Sequence, residues 1–266
     1  MSGTLVFVTD YGLEDGYAAQ LWAAAWSAAP GLRCVDGTHL VPPGDVLTGA
    51  YRCKVLARAF GPGSVICAVV DPGVGGRREA VAVECDGVAC VAPDTGLVSY
   101  LWMEARQRRA VLLPAPSGAS PTFHGRDLFA PLAALLASGT PVSGCGRPID
   151  APQLREDLSP VLEGDRLRTL VVSVDHFGNC ITGVRPADLG GREPAGLRWP
   201  AGGTDRLVTT YAEIDSPPGG EPERGYGAGL AMLWNSAGHL ELAGRETSAA
   251  ARTGVRVGTP LTVELR

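Results

Sequence analysis

Several acidic and basic side chains in this sequence sit where they can do chemistry. Asp10 follows the apolar run 5–9, and Asp15 lies in the same turn. Asp71 follows a second apolar run, 64–70, and opens the segment Asp71-Pro72-Gly73-Val74-Gly75-Gly76-Arg77-Arg78. An acid placed directly after a buried strand can activate water or hold a hydroxyl, although Asp also suits such turns for local hydrogen bonding alone. Three glycines in the segment let the backbone approach a ligand closely. Arg78 can fold back on Asp71, and a cation beside a carboxylate favours its charged form. A plain Gly-rich turn with a surface ion pair fits the same residues. His124 lies in the polar loop Pro121-Thr122-Phe123-His124-Gly125-Arg126-Asp127, ahead of a helical pattern. Two further segments can serve as polar binding loops, but taken alone Asp175-His176-Phe177-Gly178-Asn179 reads better as a tight turn with Asn in the left-handed region, and Trp234-Asn235-Ser236-Ala237-Gly238-His239-Leu240-Glu241 as a plain β-hairpin.

Other chemistries are less well served. The Asp71 segment lacks the terminal Gly-Lys-Ser/Thr of a phosphate loop, and its glycines do not open a helix as the dinucleotide fingerprint requires. His39, His124, His176 and His239 form no HxxxH or HxH pair, and no CxxC occurs, so a metal site has to be assembled from dispersed residues. The densest basic cluster is Arg106, Arg108 and Arg109 in a chain of net charge −5, which argues against a nucleic-acid partner. The seven cysteines are odd in number and scattered through apolar runs, a pattern of reduced, buried thiols. With no signal-peptide pattern and no apolar run long enough to span a bilayer, the expectation is a cytoplasmic protein with no membrane partner.

These residues need a scaffold. Apolar residues make up 45% of 266 and charged residues 19%, enough for a substantial core. The first half alternates strand patterns (5–9, 33–35, 64–70) with helix patterns (17–29, 45–59, 96–104, 128–137). Residues 81–84 and 88–92 read as a hairpin around Asp86-Gly87. The second half holds only short strand-like pieces punctuated by Gly and Pro: 167–174, 181–184, 196–199, 206–208, 229–234, 239–243 and 260–265. The expected fold class is α/β, with an N-terminal, mainly parallel α/β sandwich domain (1–155) followed by a smaller C-terminal all-β barrel domain (166–266). The polar stretch 148–165 reads as the linker.

Read together, the motifs carry more than each does alone. Thr9-Asp10-Tyr11-Gly12 with Asp15, Val70-Asp71-Pro72-Gly73-Val74-Gly75, Ala92-Pro93-Asp94-Thr95-Gly96-Leu97, Thr122 to Asp127, Asp175 to Asn179 and Asn235 to Gly238 occur in this order. The set resembles the S-adenosylmethionine (SAM) hydroxide adenosyltransferase family, whose relatives include fluorinating and chlorinating enzymes. The resemblance implies a SAM hydrolase giving adenosine and methionine, with SAM as substrate and no cofactor or metal. It implies a homotrimer with the site shared between subunits. Asp71, Arg78 and His124 take the catalytic positions, Asp10 the ribose-binding one, and Asp15, Asp175, Asn179 and Ser236 the remaining substrate-binding ones. Halogenating relatives carry Tyr where this chain has Asp71, and the fluorinating ones Ser where it has Gly125. Departures from the family pattern fall at Ala237, at Gly183 and across Arg245 to Ser248. The alternatives kept open are a SAM- or adenosine-binding sensor without turnover, a metal-dependent nucleoside hydrolase built on Asp10 and Asp15, and a halogenase, which Asp71 disfavours.

Overall fold

The computed structural model describes residues 3–214 and 229–266. The chain divides into two compact units, 1–155 and 156–266.

In the first unit, strands and helices alternate as β1 (Thr4–Thr9), α1 (Tyr17–Ala28), β2 (Arg33–Thr38), α2 (Val46–Phe60) and β3 (Val65–Val69). Then come β4 (Ala80–Cys85), β5 (Val88–Pro93), α3 (Ser99–Glu104), β6 (Arg108–Leu112), α4 (Ala130–Ala137) and β7 (Arg147–Ile149). The seven strands form one sheet in the order β2-β1-β3-β5-β4-β6-β7. Successive β1 side chains enter opposite layers, as the two-residue pleat requires. Leu5 and Phe7 pack with Leu21 and Ala25 of α1 and with Ala133 and Ala134 of α4. Val6 and Val8 pack with Cys53 and Ala57 of α2 and Trp102 of α3. Helices therefore cover both faces. Asp45 caps α2, accepting from Thr48 N–H at 3.0 Å.

The sheet is mixed rather than mainly parallel. The pairings β2–β1, β1–β3 and β3–β5 are parallel; β5–β4, β4–β6 and β6–β7 are antiparallel. The cause is the Asp86-Gly87 turn, with φ of 47° and 83°. Positive φ at both central residues gives a two-residue hairpin, which reverses β5 against β4. The 148–165 stretch is not a bare linker either. It shares β7 and holds a 3₁₀ turn, Glu156–Leu158, and a strand, β8 (Val161–Glu163).

The second unit is sheet-rich. Its strands among the described residues are β8, β9 (Arg166–Val174), β10 (Cys180–Thr182), β11 (Pro194–Trp199), β12 (Gly202–Thr204), β13 (Leu230–Trp234), β14 (Leu240–Gly244) and β15 (Pro260–Leu265), with the short helix α5 (Ala249–Thr253). The order β12-β11-β15-β9-β10-β14-β13 is antiparallel throughout, and β8 adds to β9. The two ends approach each other: Thr204 Oγ1 donates to Leu230 O at 3.2 Å, and Leu207 bridges Met232. The sheet is thus nearly closed and barrel-like. Its interior is filled by Leu167, Val171, Leu197, Met232, Leu242 and Val263 among others. Residues 206–208, expected as a strand, make only that single bridge among the described residues.

Among the described residues, no helix is long and apolar enough to cross a membrane. All seven cysteines are free thiols, and six are buried.

Candidate active site

The parallel β1–β3 pairing sets Thr9 opposite Val69, so Asp10 and Asp71 leave the sheet side by side at its carboxyl edge. From β1 the chain goes to β2 on one side and then to β3 on the other. Such a reversal opens a crevice, the usual ligand position in an open α/β sheet. A cavity of 380 Å³ lies here, lined by Asp10, Tyr11, Tyr17, Gln20, Asp71, Val74, Ser120, Thr122, Phe123 and Arg126.

The Gly-rich segment after β3 folds back through two successive turns, Val74 N–H to Asp71 O at 3.3 Å and Gly76 N–H to Gly73 O at 2.9 Å. This return brings Arg78 onto Asp71. Arg78 Nε donates to both carboxylate oxygens at 3.0 Å, and its Nη2 donates to Oδ2. The Gly73 N–H adds a bond to Oδ1 at 3.3 Å. The side chains of Asp71 and Arg78 are only 5% and 12% exposed, so water screens the pair weakly. Arg78 also stacks over the Phe129 ring.

Arg78 Nη2 lies 2.7 Å from His124 Nδ1. A guanidinium only donates. His124 Nδ1 therefore accepts, and the ring's proton is on Nε2. His124 stands at the head of a π-helical turn, Gly125–Phe129, closed by Ala130 N–H to Gly125 O. Pro131 follows and has no N–H with which to continue the ladder.

Gly125 itself is a close-packed position. A Cβ there would meet Tyr11 Oη, Tyr11 Cζ at 3.1 Å and Leu21 Cδ2 at 3.2 Å. Asp10 Oδ2 accepts from Gly44 N–H at 2.9 Å. Burial raises the Asp10 carboxyl above its ordinary value, and the nearby Asp71 charge adds to the rise, against the Gly44 bond that lowers it. Asp15 stands exposed on the loop before α1, outside the cavity wall. Among the described residues, no group of three or more His, Cys, Asp or Glu side chains is arranged to hold a metal ion.

In the second unit, Asp175 closes its own turn. Its Oδ1 accepts from Phe177 N–H at 2.9 Å and Asn179 N–H at 2.8 Å, and Oδ2 from Asn179 Nδ2 at 2.9 Å. Gly178, rather than Asn179, carries the positive φ. Asn235 Oδ1 likewise accepts from the N–H groups of Ala237 and His239 at 3.0 Å, leaving Ser236 exposed at the tip. Glu241 lies buried beside these turns, accepting from Tyr211 Oη at 2.6 Å and hydrogen-bonded to Asn235; burial raises its carboxyl. Gly183 has no room for a side chain, because a Cβ would lie 2.9 Å from Leu158 O and 3.0 Å from Thr169 Oγ1.

The match to known proteins follows the same two units. Residues 5–146 match the SAM hydroxide adenosyltransferase N-terminal domain, and residues 169–262 match the C-terminal domain. The chain belongs to the SAM hydroxide adenosyltransferase family. A relative named (R)-S-adenosyl-L-methionine hydrolase, from Thermus thermophilus, is 38% identical over 96% of this chain and 97% of its own. One of the same name from Salinispora arenicola is 43% identical over 65% of this chain and 69% of its own. Among solved structures, an uncharacterized conserved protein from Thermotoga maritima superposes with a TM-score of 0.83 at 26% identity, covering 97% of this chain and 99% of that one.

Within this SAM hydroxide adenosyltransferase fold, two of the sequence candidates, Asp10 and Asp71, line the cavity, while Tyr17 and Gln20 line it without having been candidates. Tyr17 and Gln20 are spaced three apart on the first turn of α1, which puts them on one face. That spacing was the available signal. Tyr11 and Arg126, also in the wall, lie inside the Thr9–Gly12 and Thr122–Asp127 motifs.

Proposed function

We propose that this chain hydrolyses SAM with water at ribose C5′, giving adenosine and L-methionine. The observation that carries the reading is the Asp71–Arg78–His124 cluster beside Asp10 at the carboxyl edge of the sheet. A water oxygen attacks C5′ in line with the C5′–S bond. That bond breaks, and its electron pair leaves with sulfur as the thioether of methionine. Asp71 accepts the proton lost by the water. Arg78 fixes the Asp71 carboxylate, and His124, with its proton on Nε2, donates a hydrogen bond within the network. Asp10 accepts from the ribose diol. General-base assistance of this kind contributes about 10²–10⁴-fold, and alignment of water with the scissile bond up to about 7–11 kcal/mol. A carboxylate at position 71 accepts a proton and repels an incoming halide, which favours water as the nucleophile.

The reading extends further on the family's pattern. Asp15, Asp175, Asn179 and Ser236 contact adenine and the methionine moiety. The assembly is a homotrimer in which subunits share sites. No cofactor or metal takes part. The names of the relatives support the (R) sulfonium as substrate. Seven free thiols, six of them buried, support a cytoplasmic location.

The test is incubation of the pure protein with each sulfonium epimer of SAM, with and without chelator and with and without chloride, and identification of products by mass. Adenosine and methionine in equal amounts, unaffected by chelator, are expected. A chloronucleoside identifies a halogenase, chelator sensitivity identifies a metal-dependent enzyme, and binding without methionine release identifies a sensor.

A further inference from the structure

His39 is 2% exposed and takes no part in the Asp71 cluster or the cavity wall. Its ring is held at both nitrogens. Nε2 lies 2.9 Å from Asp36 Oδ1, and Nδ1 lies 2.8 Å from Thr9 Oγ1. Asp36 Oδ1 also accepts from the Trp22 indole N–H at 2.6 Å. Thr9 Oγ1 accepts from Tyr11 N–H at 3.2 Å, a bond that spans Asp10.

These contacts give the network a direction. A carboxylate only accepts, so the proton on His39 that faces Asp36 belongs to Nε2. In the neutral ring Nδ1 is then bare and accepts the Thr9 hydroxyl proton. Tyr11 N–H donates to Thr9, Thr9 donates to His39, and His39 donates to Asp36, so every donor has an acceptor. Two main-chain bonds tie the same segments: Gly12 N–H to His39 O at 2.8 Å and Val41 N–H to Thr9 O at 3.2 Å. The order carboxylate–imidazole–hydroxyl is also that of a nucleophilic triad. Thr9 is 0% exposed, which rules out attack on a substrate.

We propose that His39 is a positioning residue, fixed by Asp36 and acting through the Thr9 hydroxyl to set the turn that aims Asp10 into the cavity. The catalytic consequence rests on the proposed role of Asp10; the structural relay does not. Fixed second partners of this kind hold functional groups within the tolerance that catalysis needs.

The experiment compares Thr9→Val, which deletes the hydroxyl at nearly constant shape, with Thr9→Ser, which restores it. Amide hydrogen exchange of Tyr11 and Gly12 is read in the ligand-free protein. The His39 tautomer is read by ¹⁵N NMR in the wild type, where no substitution can disturb folding. The expected results are the Nε2–H tautomer, at least tenfold faster exchange at Tyr11 in Thr9→Val, and near-wild-type exchange in Thr9→Ser. For SAM, Thr9→Val is expected to raise KM about tenfold with a smaller change in kcat, and Thr9→Ser to restore it. An Nδ1–H tautomer, or equal exchange at Tyr11 in the two variants, overturns the relay. If the wild type does not cleave SAM, the proposed function fails while the exchange and tautomer readings still decide the relay.

Discussion

Replacing Asp71 with Asn separates the charge of the carboxylate from its shape. In the folded chain the carboxylate accepts from Arg78 Nε at 3.0 Å on both oxygens, from Arg78 Nη2, and from Gly73 N–H. Asn keeps one acceptor oxygen for Nε and Gly73, but turns an N–H₂ toward a guanidinium that can only donate. With charge centres about 4 Å apart and an effective dielectric near 20, the lost attraction is about 4 kcal/mol. Leaving one partner of a buried pair uncompensated costs about 3–5 kcal/mol. Arg78 keeps its contact with His124 and its 12% exposure, which puts the expected loss at the lower end, about 3 kcal/mol. Urea denaturation reads this term. Turnover carries a separate one: loss of the base lowers kcat by about 10²–10⁴-fold. Methionine release, measured where the variant is fully folded by its own denaturation curve, reads the second. A variant that loses stability as expected but keeps kcat within threefold of wild type refutes Asp71 as the water-activating group. One that loses kcat without loss of stability refutes the buried-pair reasoning.

Arg78→Lys keeps the charge but not the fork that reaches Asp71 and His124 together; kcat is expected to fall at least tenfold, with KM changing less. In Gly125→Ser the new Cβ meets Tyr11 and Leu21, so a loss of about 1–3 kcal/mol is expected. Adding Tyr11→Phe removes the nearest atom and is expected to recover part of it, a coupling of more than about 0.5 kcal/mol in a double-mutant denaturation cycle. Asp10 has a folded carboxyl raised by burial. Its ionised form therefore costs stability at neutral pH, and the cost fades as pH falls through the folded value toward the ordinary 3.8. Asp10→Asn is expected to raise Tm at pH 7, to lose that gain at the most acid pH, and to weaken SAM binding.

Much of the N-terminal scaffold was legible because its signals are local. Asp45 heads a helix, Asp86-Gly87 makes a hairpin, and the apolar runs ending at Thr9 and Val70 place acids at strand ends. Beyond that hairpin, strand direction was not legible. Ala80–Cys85 is almost wholly buried, so its apolar run looks the same whether β6 on its other side runs parallel or antiparallel. β7 and β8 escaped notice for the opposite reason: Arg147–Ile149 and Val161–Glu163 are mostly exposed, and short exposed strands carry no apolar alternation. In the candidate site, the fold-back of Arg78 on Asp71 followed from the Gly-rich spacing. The role of Thr9 did not, because its partner His39 is 30 residues away and the contact depends on the β1–β2 register.

The cluster's hydrogen bonds also assign labour within it. Arg78 donates to Asp71 on one side and to His124 on the other. Since an arginine cannot accept, both neighbours must present lone pairs to it, and His124 has only Nδ1 to give. With that nitrogen committed, the imidazole can offer a proton from Nε2 but cannot take one there. The carboxylate differs: its two oxygens carry about four lone-pair sites, and only three N–H groups reach them, Arg78 Nε (shared between both oxygens), Arg78 Nη2 and Gly73 N, which leaves room for a further proton. On the proposed mechanism Asp71 is therefore the group placed to receive a proton from water, while His124 donates. A tyrosine at position 71 would present a hydroxyl instead and leave the cluster with no comparable acceptor. The identity of residue 71 thus governs more than the charge met by an incoming nucleophile. On the proposed mechanism it also decides whether the cluster contains a base.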